Sequence, residues 1–256
     1  MKKILLSVLV LFSVLVLSVS KPYAQESCYN WYIVKRGNDC PGFPKECELV
    51  EKYGGLYVDK SSAKSGEKVI YLTFDTGYDN GNVSKIVSIL NDKGVKASFF
   101  VLSNLIRKNG DLIKEMNNSG HLICNHTDNH KDMTKLTNEE FLSNLGRLEK
   151  LYYECTGEEM SKFFRFPEGH YDEEKLKCAY EAGYTTVFWS LAYADWDNGR
   201  QPANNRAMQI LEDNCHNGAI ILLHPTSATN VKILPLLIDK WKAEGYTFKT
   251  LDAIVK

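Results

Sequence analysis

The sequence predicts an α/β protein in which about seven parallel strands, each covered by a helix, form a (β/α) barrel. From residue 69 onward, amphipathic helical patterns alternate with apolar strands, and each helical pattern ends at a glycine. The strands are apolar on both faces, as in parallel sheets that helices cover. The number of strands fits a barrel or an open doubly wound sheet. Polar side chains at the strand ends favour the barrel, because a barrel brings those ends together on one face.

The first 24 residues have the layout of a secretory signal. Lys2 and Lys3 precede an apolar run over residues 4–20, and Ala24 is one of several small residues suited to cleavage. The run is nearly as long as the roughly 17 to 25 residues that span a bilayer, so an uncleaved anchor is the alternative. In both cases we expect the protein to work outside the cytoplasm, secreted or membrane-anchored.

Residues 25–67 form a predicted N-terminal extension, and residues 68–256 form the predicted main domain. The extension is irregular and carries the turn dipeptides Pro41-Gly42 and Gly54-Gly55. We expect it to pack on the main domain. The roughly 230 residues that follow the signal segment suffice for one domain with a single core.

Charge and cysteine content exclude several classes of protein. The net charge is −1 with acids and bases interspersed, which disfavours nucleic acid and anionic lipid as partners. Membrane contact is therefore expected only through the N-terminal segment, and the protein is expected to be a monomer. The seven cysteines include no CxxC pair, which rules out a zinc finger. Their odd number and wide spacing favour buried thiols over a disulfide framework.

The first three helical patterns after residue 69 end at glycines. A helix over 83–93 ends at Gly94 before the strand VKASFFVL, and a helix over 105–118 ends at Gly120 before HLICNH. A capping box from Thr137 to Glu140 begins a long helix that ends near Gly157, ahead of FFRFPEG.

The last three helical patterns follow the same rule. EEKLKCAYEA ends at Gly183 before a predicted strand YTTVFWSLAYAD. The helix after Asn204 is expected to run to Gly218 before AIILLH. The final helix, VKILPLLIDKWKAE, ends at Gly245 before YTFKTL.

Five chemically active side chains stand at or just past predicted strand ends: Asp75, His126, Arg165, Asp195 and His224. Each has an ordinary structural explanation when taken alone, such as a turn cap for an aspartate or a core position for a histidine. Together they indicate a site, because a guanidinium near a carboxylate keeps it ionised and an aspartate near a histidine lets the imidazole hold a proton.

His126 and His130 are four residues apart in NHTDNH. On one helical turn both imidazoles would face the same side, a spacing that suits two ligands of a zinc-like ion. The alternative is a pair of surface histidines on a polar loop.

The order T-F-D-x-G, H-[ST]-x-x-H, R-x-P-x-G, D-W and L-L-H closely resembles the polysaccharide deacetylases of carbohydrate esterase family 4, from about residue 68 to the end of the chain. The resemblance implies a distorted (β/α) barrel that hydrolyses N-acetyl groups. It also implies that Asp75 is the general base, Arg165 its orienting partner, and His224 the general acid tethered by Asp195.

The same resemblance implies a divalent metal, zinc in the first instance, with His126 and His130 as ligands. It places substrate contacts at Glu168, Gly169 and Trp196, with a backbone N–H near Glu168 holding the oxyanion.

The sequence departs from the family at three motif positions. Thr76 stands where most members have a second aspartate as the third metal ligand, Glu168 where many have an aromatic residue, and Ala192 where the fourth motif often begins with Asp. The first departure implies a loosely held metal, or one that recruits Asp79 or the Thr76 hydroxyl.

The departures, with the segments KYGGLYV and SLAYADW, resemble the spore-cortex branch of muramic acid deacetylases. This branch implies deacetylation of N-acetylmuramic acid in peptide-stripped peptidoglycan, on the way to muramic δ-lactam. The alternatives are an N-acetylglucosamine deacetylase of cell wall or chitin-like glycan and a carbohydrate-binding pseudoenzyme. A glycosidase is disfavoured, because it would leave the two histidines without a role.

Overall fold

The computed structural model describes residues 27–255. The predicted signal segment lies outside these residues. Over the described range, no helix combines the length and the apolar character needed to cross a bilayer.

The protein is built on a curled parallel sheet. Its strands run in the order β7-β5-β4-β3-β2-β9-β8, and β10 pairs with the start of β2. The bounds are β1 Tyr29–Asn30, β2 Val69–Thr76, β3 Ser98–Val101, β4 Leu122–Asn125, β5 Ser161–Phe164, β6 His170–Tyr171, β7 Thr185–Thr186, β8 Leu191–Ala192, β9 Ala219–Leu223 and β10 Thr247–Phe248. Every pairing within this sheet is parallel, so the predicted barrel of about seven strands is confirmed as a curled half-barrel.

Helices cover the outer face of the sheet. Their bounds are α1 Cys47–Lys52, α2 Lys60–Ser65, α3 Val83–Asp92, α4 Ser103–Lys108, α5 Gly110–Asn118, α6 Asn138–Thr156, α7 Glu173–Glu181, α8 Asn204–Glu212 and α9 Ala228–Ala243. The largest buried cluster joins the apolar faces of α3, α5 and α9 to β2, β3 and β9. This layering explains why the strands are apolar on both faces.

Strand β2 is the centre of the sheet. All eight of its residues, VIYLTFDT, are buried, and it pairs with β3, β9 and β10. Its carboxyl end therefore delivers Asp75 and Thr76 to the middle of the face where the strand ends meet.

Two predicted helix boundaries agree closely with the structure. Helix α6 begins with the expected capping box, in which Thr137 and Glu140 each accept a backbone N–H of the other residue, and it ends at Gly157 with φ 78°. Helix α3 ends just before Gly94, which has φ 60°.

The helix predicted over 105–118 is wrong as a single element. The structure has α4 and α5, separated at Asn109, whose φ of −134° is not helical. The Asn109 N–H still donates to the Leu105 carbonyl at 2.8 Å, so it completes the last turn of α4. Asparagine followed by glycine is a weak helical pair, so tertiary packing readily breaks the helix there.

The helix after Asn204 is shorter than predicted, since it ends at Glu212 rather than near Gly218. The Asn214 side chain donates to the Ile210 carbonyl at 2.8 Å, and the Asn38 side chain donates to the Glu212 carbonyl at 2.9 Å. These side chains satisfy the last carbonyl groups of α8, so the helix ends there.

The predicted single strand YTTVFWSLAYAD is wrong, because the structure splits it into β7 and β8. Strand β7 pairs with β5 at one edge of the sheet, and β8 pairs with β9 at the other. Between them the Ser190 N–H donates to the Ile220 carbonyl at 2.9 Å. The chain passes here from one edge of the sheet to the other, so β7 and β8 pair with different strands and do not form one continuous strand.

The N-terminal extension contacts both edges of the curled sheet. The Leu56 N–H donates to the Thr186 carbonyl at 2.8 Å, and the Asp59 N–H donates to the Gly218 carbonyl at 2.9 Å. Strand β1 also pairs with β6, next to the loop that follows β5. The extension thus packs on the main domain, as expected, and supplies backbone partners that the sheet lacks.

All seven cysteines lie in the described part of the chain and are free thiols. Cys124, Cys178 and Cys215 are buried, three others are half-buried and Cys28 is exposed. The expectation of thiols rather than a disulfide framework agrees with this arrangement.

Candidate active site

A cavity of about 730 Å³ opens where the strand ends meet. Six of the residues predicted for the site line it: Asp75, His126, His130, Glu168, Trp196 and His224. Arg165 and Asp195 lie directly behind this wall and are fully buried. Gly169 does not line the cavity, although Trp189, against which it packs, does. The structure therefore brings the sequence-predicted residues together around one space.

The floor of the cavity holds a buried ion pair between Asp75 and Arg165. Arg165 Nη1 donates to Asp75 Oδ1 at 2.7 Å, and the rest of the guanidinium donates to Thr73 Oγ1 and to the carbonyls of Val187 and Phe188. Burial by itself would raise the pKa of Asp75, but the Arg165 charge, with the two imidazoles of the site, holds that pKa below its usual value. Asp75 is thus an ionised carboxylate whose Oδ2 faces the cavity side.

His126 is held as a neutral imidazole with a defined tautomer. Its Nδ1 lies 3.0 Å from the Arg165 carbonyl, so Nδ1 carries the hydrogen and Nε2 keeps its lone pair. Nε2 lies 3.5 Å from Asp75 Oδ2. Burial lowers the pKa of His126 to about 4 against the opposing effect of Asp75. The ring is therefore ready to act as a ligand or an acceptor.

The two histidines do not lie on a helical turn, so that part of the prediction is wrong. They lie on a loop after β4 in which Thr127 and His130 both have positive φ, 81° and 58°. The Thr127 hydroxyl accepts the His130 N–H at 2.9 Å, and the two ring centroids end 5.1 Å apart. The rings meet through a tight loop rather than through helical periodicity.

Asn144, a residue that the sequence analysis missed, braces this histidine loop. From helix α6 its Oδ1 accepts the Asp128 N–H at 2.7 Å, and its Nδ2 donates to Asn129 Oδ1 at 3.2 Å. Asn144 is buried between Phe141 and Leu145 on the core-facing side of α6. A polar residue on an apolar helical face is the sequence signal that could have found it.

Asp195 and His224 form a second buried pair across the cavity from the histidine loop. His224 Nδ1 lies 2.8 Å from Asp195 Oδ1, and the His224 backbone N–H donates to Asp195 Oδ2 at 2.7 Å. Burial by itself would lower the pKa of His224, but the hydrogen bond and charge of Asp195 raise it above the usual value. This imidazole therefore holds a proton more tightly than an ordinary histidine does.

Asn230, also missed, holds the Asp195 carboxylate from helix α9. Its Nδ2 donates to Asp195 Oδ2 at 2.6 Å and to the His224 carbonyl at 3.0 Å, while its Oδ1 accepts the Tyr193 hydroxyl at 2.5 Å. Asn230 is fully buried, and every polar atom of its amide is used. It is therefore a positioning residue for the pair.

The loop after β5 carries Glu168 and Gly169 in left-handed conformations, with φ of 58° and 71°. A side chain at Gly169 would come within 2.9 Å of the Trp189 ring and 3.1 Å of Trp31 Cβ, so only glycine fits. The Trp31 N–H donates to the Gly169 carbonyl at 2.9 Å, which ties this loop to the N-terminal extension. Glu168 is left at the cavity rim with its side chain 67% exposed.

Aromatic side chains form the opposite part of the rim. Trp196 is 65% exposed and Tyr78 is 48% exposed, and both line the cavity. The Tyr78 hydroxyl accepts the Asn198 side-chain amide at 2.9 Å. Exposed rings beside a polar floor are suited to contact the apolar faces of sugar rings.

The donor set around the histidines tests whether a metal fits. Among residues 27–255, no cluster of three or more His, Cys, Asp or Glu side chains has metal-binding geometry. Thr76 lines the cavity and its hydroxyl lies 3.2 Å from the Tyr78 carbonyl, whereas Asp79 Oδ1 accepts the Gly81 and Val83 N–H groups at the start of α3. The Asp79 carboxylate is thus engaged through Oδ1 by backbone N–H groups of this turn. Two imidazoles whose ring centroids lie 5.1 Å apart fit a divalent cation, with one protein ligand fewer than catalytic zinc sites have.

Known proteins similar in sequence to this chain include polysaccharide deacetylases. The polysaccharide deacetylase family matches residues 62–187. The chain is 37% identical over 207 residues to the peptidoglycan-N-acetylmuramic acid deacetylase PdaA of Bacillus subtilis, covering 81% of this chain and 77% of PdaA. The chain belongs to the polysaccharide deacetylase family. The chain is also 38% identical over 228 residues to an uncharacterized 30.6 kDa protein of Geobacillus stearothermophilus, covering 88% of this chain and 84% of that protein.

A solved structure supports the same assignment. The structure of Bacillus subtilis PdaA, a family 4 carbohydrate esterase, superposes with a TM-score of 0.84 at 35% identity, covering 89% of this chain and 97% of that one. A peptidoglycan-N-acetylglucosamine deacetylase of Bacillus cereus is 31% identical over 201 residues, covering 75% of this chain and 90% of that protein. This polysaccharide deacetylase is therefore a hydrolase with the half-barrel fold of carbohydrate esterase family 4.

Proposed function

We propose that this hydrolase removes the N-acetyl group of N-acetylmuramic acid in peptide-stripped peptidoglycan. The observation that carries the chemistry is the pairing on the cavity floor: Asp75 with Arg165 on one side, and Asp195 with His224 on the other. One pair keeps a carboxylate ionised, and the other raises the pKa of an imidazole so that it holds its proton more tightly. Hydrolysis of an amide needs this combination of a base and an acid.

The base side of the reaction is assigned to Asp75. Its carboxylate accepts a proton from the attacking water, and Arg165 fixes its orientation through Oδ1 so that Oδ2 is free for that proton. The attack converts the acetyl carbonyl into a tetrahedral oxyanion. We assign the backbone N–H of Glu168, on the strained turn at the rim, as a donor to that oxyanion.

The acid side is assigned to His224. Its Nδ1 is engaged by Asp195, so Nε2 is the atom that can deliver a proton into the cavity. Protonation of the sugar nitrogen breaks the carbon–nitrogen bond and releases acetate and a free amine. Asn230 keeps the Asp195 carboxylate in place during this transfer.

His126 and His130 are proposed to hold the metal. When bound, a divalent cation supplies Lewis-acid activation of the water and the carbonyl. The Arg165 carbonyl fixes the tautomer of His126 that leaves Nε2 available, and Asn144 fixes the loop that carries His130. With Thr76 in place of a third carboxylate, we expect loose binding of zinc and ready exchange with other divalent ions.

The muramic substrate is supported by the 37% identity to PdaA, whose name specifies N-acetylmuramic acid. We extend the proposal to the spore cortex, where the freed amine closes onto the lactyl group as muramic δ-lactam. Such a substrate requires secretion or membrane anchoring of the enzyme, which the N-terminal sequence pattern predicts. The main alternative is deacetylation of N-acetylglucosamine, which the 31% identical Bacillus cereus relative favours.

Mass spectrometry of treated glycan separates these two substrates. Peptide-free glycan strands are incubated with the protein and a divalent metal, digested to disaccharides, and analysed for the residue that has lost its acetyl group. We expect the loss on muramic acid. Loss on glucosamine alone would replace the proposed substrate, and no loss on either sugar, with a folded and metal-loaded protein, would favour a carbohydrate-binding pseudoenzyme.

A further inference from the structure

A second cavity of about 440 Å³ adjoins the active site. Trp196 lines both cavities and so forms a wall that they share. The second cavity is otherwise lined by Ala194, Asp197, Arg200, Gln201 and Pro202, from the loop between β8 and α8. A substituent next to the reacting group of the substrate can therefore extend past Trp196 into this space.

Arg200 gives this second cavity a free cation. Within residues 27–255 its guanidinium has no carboxylate within ion-pairing distance and no hydrogen-bond acceptor, and only its backbone N–H is engaged, with the Asp197 carbonyl at 3.1 Å. Asp197 lines the same cavity, but its Oδ1 accepts the Gly199 N–H at 2.9 Å. A planar guanidinium without a partner is suited to bind a carboxylate in a bidentate manner.

The loop that carries Arg200 is fixed to the catalytic machinery. The Gln201 side chain donates to the carbonyl of Asp195 at 2.9 Å and to that of Asp197 at 2.7 Å, and it also contacts the Ser227 hydroxyl. The residue after Arg200 is thereby tied to the backbone of Asp195, the partner of His224. Arg200 thus lies at a defined place relative to the site of proton delivery.

The two cavities differ in the charged side chains on their walls, because the second carries both Arg200 and Asp197. The cavity around the two floor pairs has no arginine or lysine on its wall, and its carboxylates Asp75 and Glu168 would repel an anion. Arg165 is fully buried and its donors are engaged by Asp75, Thr73 and two carbonyls. Arg200 is therefore the uncommitted cation among the residues that line the two adjoining cavities.

We propose that the cavity between Trp196 and Arg200 binds the carboxylate that the substrate carries on the carbon next to its N-acetyl group. In muramic acid the lactyl ether on C3 carries this carboxylate, beside the N-acetyl group on C2. The inference rests on the proposed function and deepens it, because it names the part of the substrate that distinguishes muramic acid from glucosamine. It also accounts for a requirement that the peptide be removed first, since an attached peptide leaves no free lactyl carboxylate.

The test compares two forms of one substrate. Peptide-free glycan strands are used as the free acid and after methyl esterification of the lactyl carboxylates, and KM and kcat for acetate release are measured at low salt. With the wild-type protein we expect esterification to raise KM roughly threefold to tenfold with little change in kcat. Added salt should reduce this difference, because Arg200 is exposed to solvent.

Substitutions of Arg200 test whether this residue causes the preference for the free-acid substrate. Arg200→Ala should show the higher KM on both forms, and Arg200→Lys should recover part of the preference for the acid. Arg206→Ala is the matched control, since Arg206 is an exposed arginine on α8 that contacts Gln209 and lines neither cavity. It should retain the wild-type preference.

The outcomes separate this inference from the proposed function. If Arg200→Ala keeps the wild-type preference for the acid, or if the wild type has no such preference while acting on muramic acid, the carboxylate site is wrong and the function stands. If acetyl groups are lost from glucosamine alone, the proposed substrate is wrong, and the carboxylate site is rejected with it.

Discussion

The floor and the rim of the active-site cavity are built in different ways. On the floor, Arg165 and Asp195 are fully buried, and their polar atoms are engaged by neighbours within the fold. On the rim, Glu168 and Trp196 are about two-thirds exposed and make few contacts. The floor can therefore set proton affinities and geometry before substrate arrives, whereas the rim can change without disturbing them. We infer that the proton transfers belong to the floor and that substrate choice belongs to the side chains of the rim.

Removal of the proposed acid, His224, should lower kcat more than changes to the residues that support the floor or line the rim. His224→Ala is expected to lower kcat for acetate release by a factor of about 10² to 10⁴, because it removes the cavity-lining imidazole whose pKa Asp195 raises. Steady-state kinetics measures the loss, and circular dichroism checks the fold. A kcat within a few-fold of wild type would mean that another group acts as the acid. It would also weaken the inference that the floor performs the proton transfers.

The pH dependence of kcat should report the same histidine. The hydrogen bond and charge of Asp195 raise the pKa of His224 against the opposing effect of burial, so kcat should fall as pH rises through that raised pKa. The pair also stabilises the folded protein at pH values below the unfolded histidine pKa of about 6.5, a contribution that disappears as pH rises through the folded pKa. An alkaline limb that starts well below pH 6.5 would contradict this assignment.

Asn230→Ala tests whether the floor depends on residues that never touch substrate. Loss of the 2.6 Å hydrogen bond to Asp195 should lower kcat about 10-fold to 100-fold with little change in KM. Asn214→Ala is the matched control, because the Asn214 side chain only satisfies the Ile210 carbonyl at the end of α8. An equal loss of kcat in the two variants would show that Asn230 supports the fold in general and does not position Asp195 for catalysis.

Asn144→Ala should weaken metal binding by about 10-fold to 100-fold, because Asn144 fixes the loop between His126 and His130. Isothermal titration with zinc measures the affinity directly and needs no substrate. Asn138→Ala, on the exposed first turn of the same helix, should bind zinc as the wild type does. Unchanged affinity in the Asn144 variant would show that the loop holds its shape without this brace.

The smallest effect is expected at the rim. Trp196→Ala should raise KM roughly twofold to tenfold through loss of aromatic contact with the sugar, and Trp196→Phe should recover part of it. The kcat should remain close to wild type in both variants. A drop in kcat comparable to that of His224→Ala would show that Trp196 takes part in the chemistry, which would contradict the division of roles between floor and rim.

The sequence predicted the half-barrel and the set of residues around the cavity because both depend on local pattern. Five of the strands carry a polar site residue at or just past their carboxyl ends, and the carboxyl ends of parallel strands meet on one face whatever the details of the loops. The contacts of Asn144 and Asn230 could not be predicted in this way, since each joins elements far apart in the chain. The splitting of YTTVFWSLAYAD into β7 and β8 likewise depends on neighbouring strands at opposite edges of the sheet.

The histidine loop shows the limit of periodicity most clearly. A spacing of four residues predicted that His126 and His130 lie near each other, and their ring centroids are 5.1 Å apart. The helical turn assumed for them is absent, because Thr127 and His130 take positive φ values that a brace from α6 supports. The proximity of the two imidazoles could be predicted from their spacing in the sequence. The backbone conformation of the loop could not, because it depends on contacts with α6.

The central claim is that the two pairs on the floor perform the hydrolysis, and Asp75→Asn tests it most directly. Asparagine keeps the shape and a hydrogen bond to Arg165 but cannot accept a proton from water. With metal-loaded protein on peptide-free glycan, we predict that kcat for acetate release falls by a factor of about 10² to 10⁴ while the fold is kept. An unchanged kcat in the folded Asp75→Asn variant would contradict the claim.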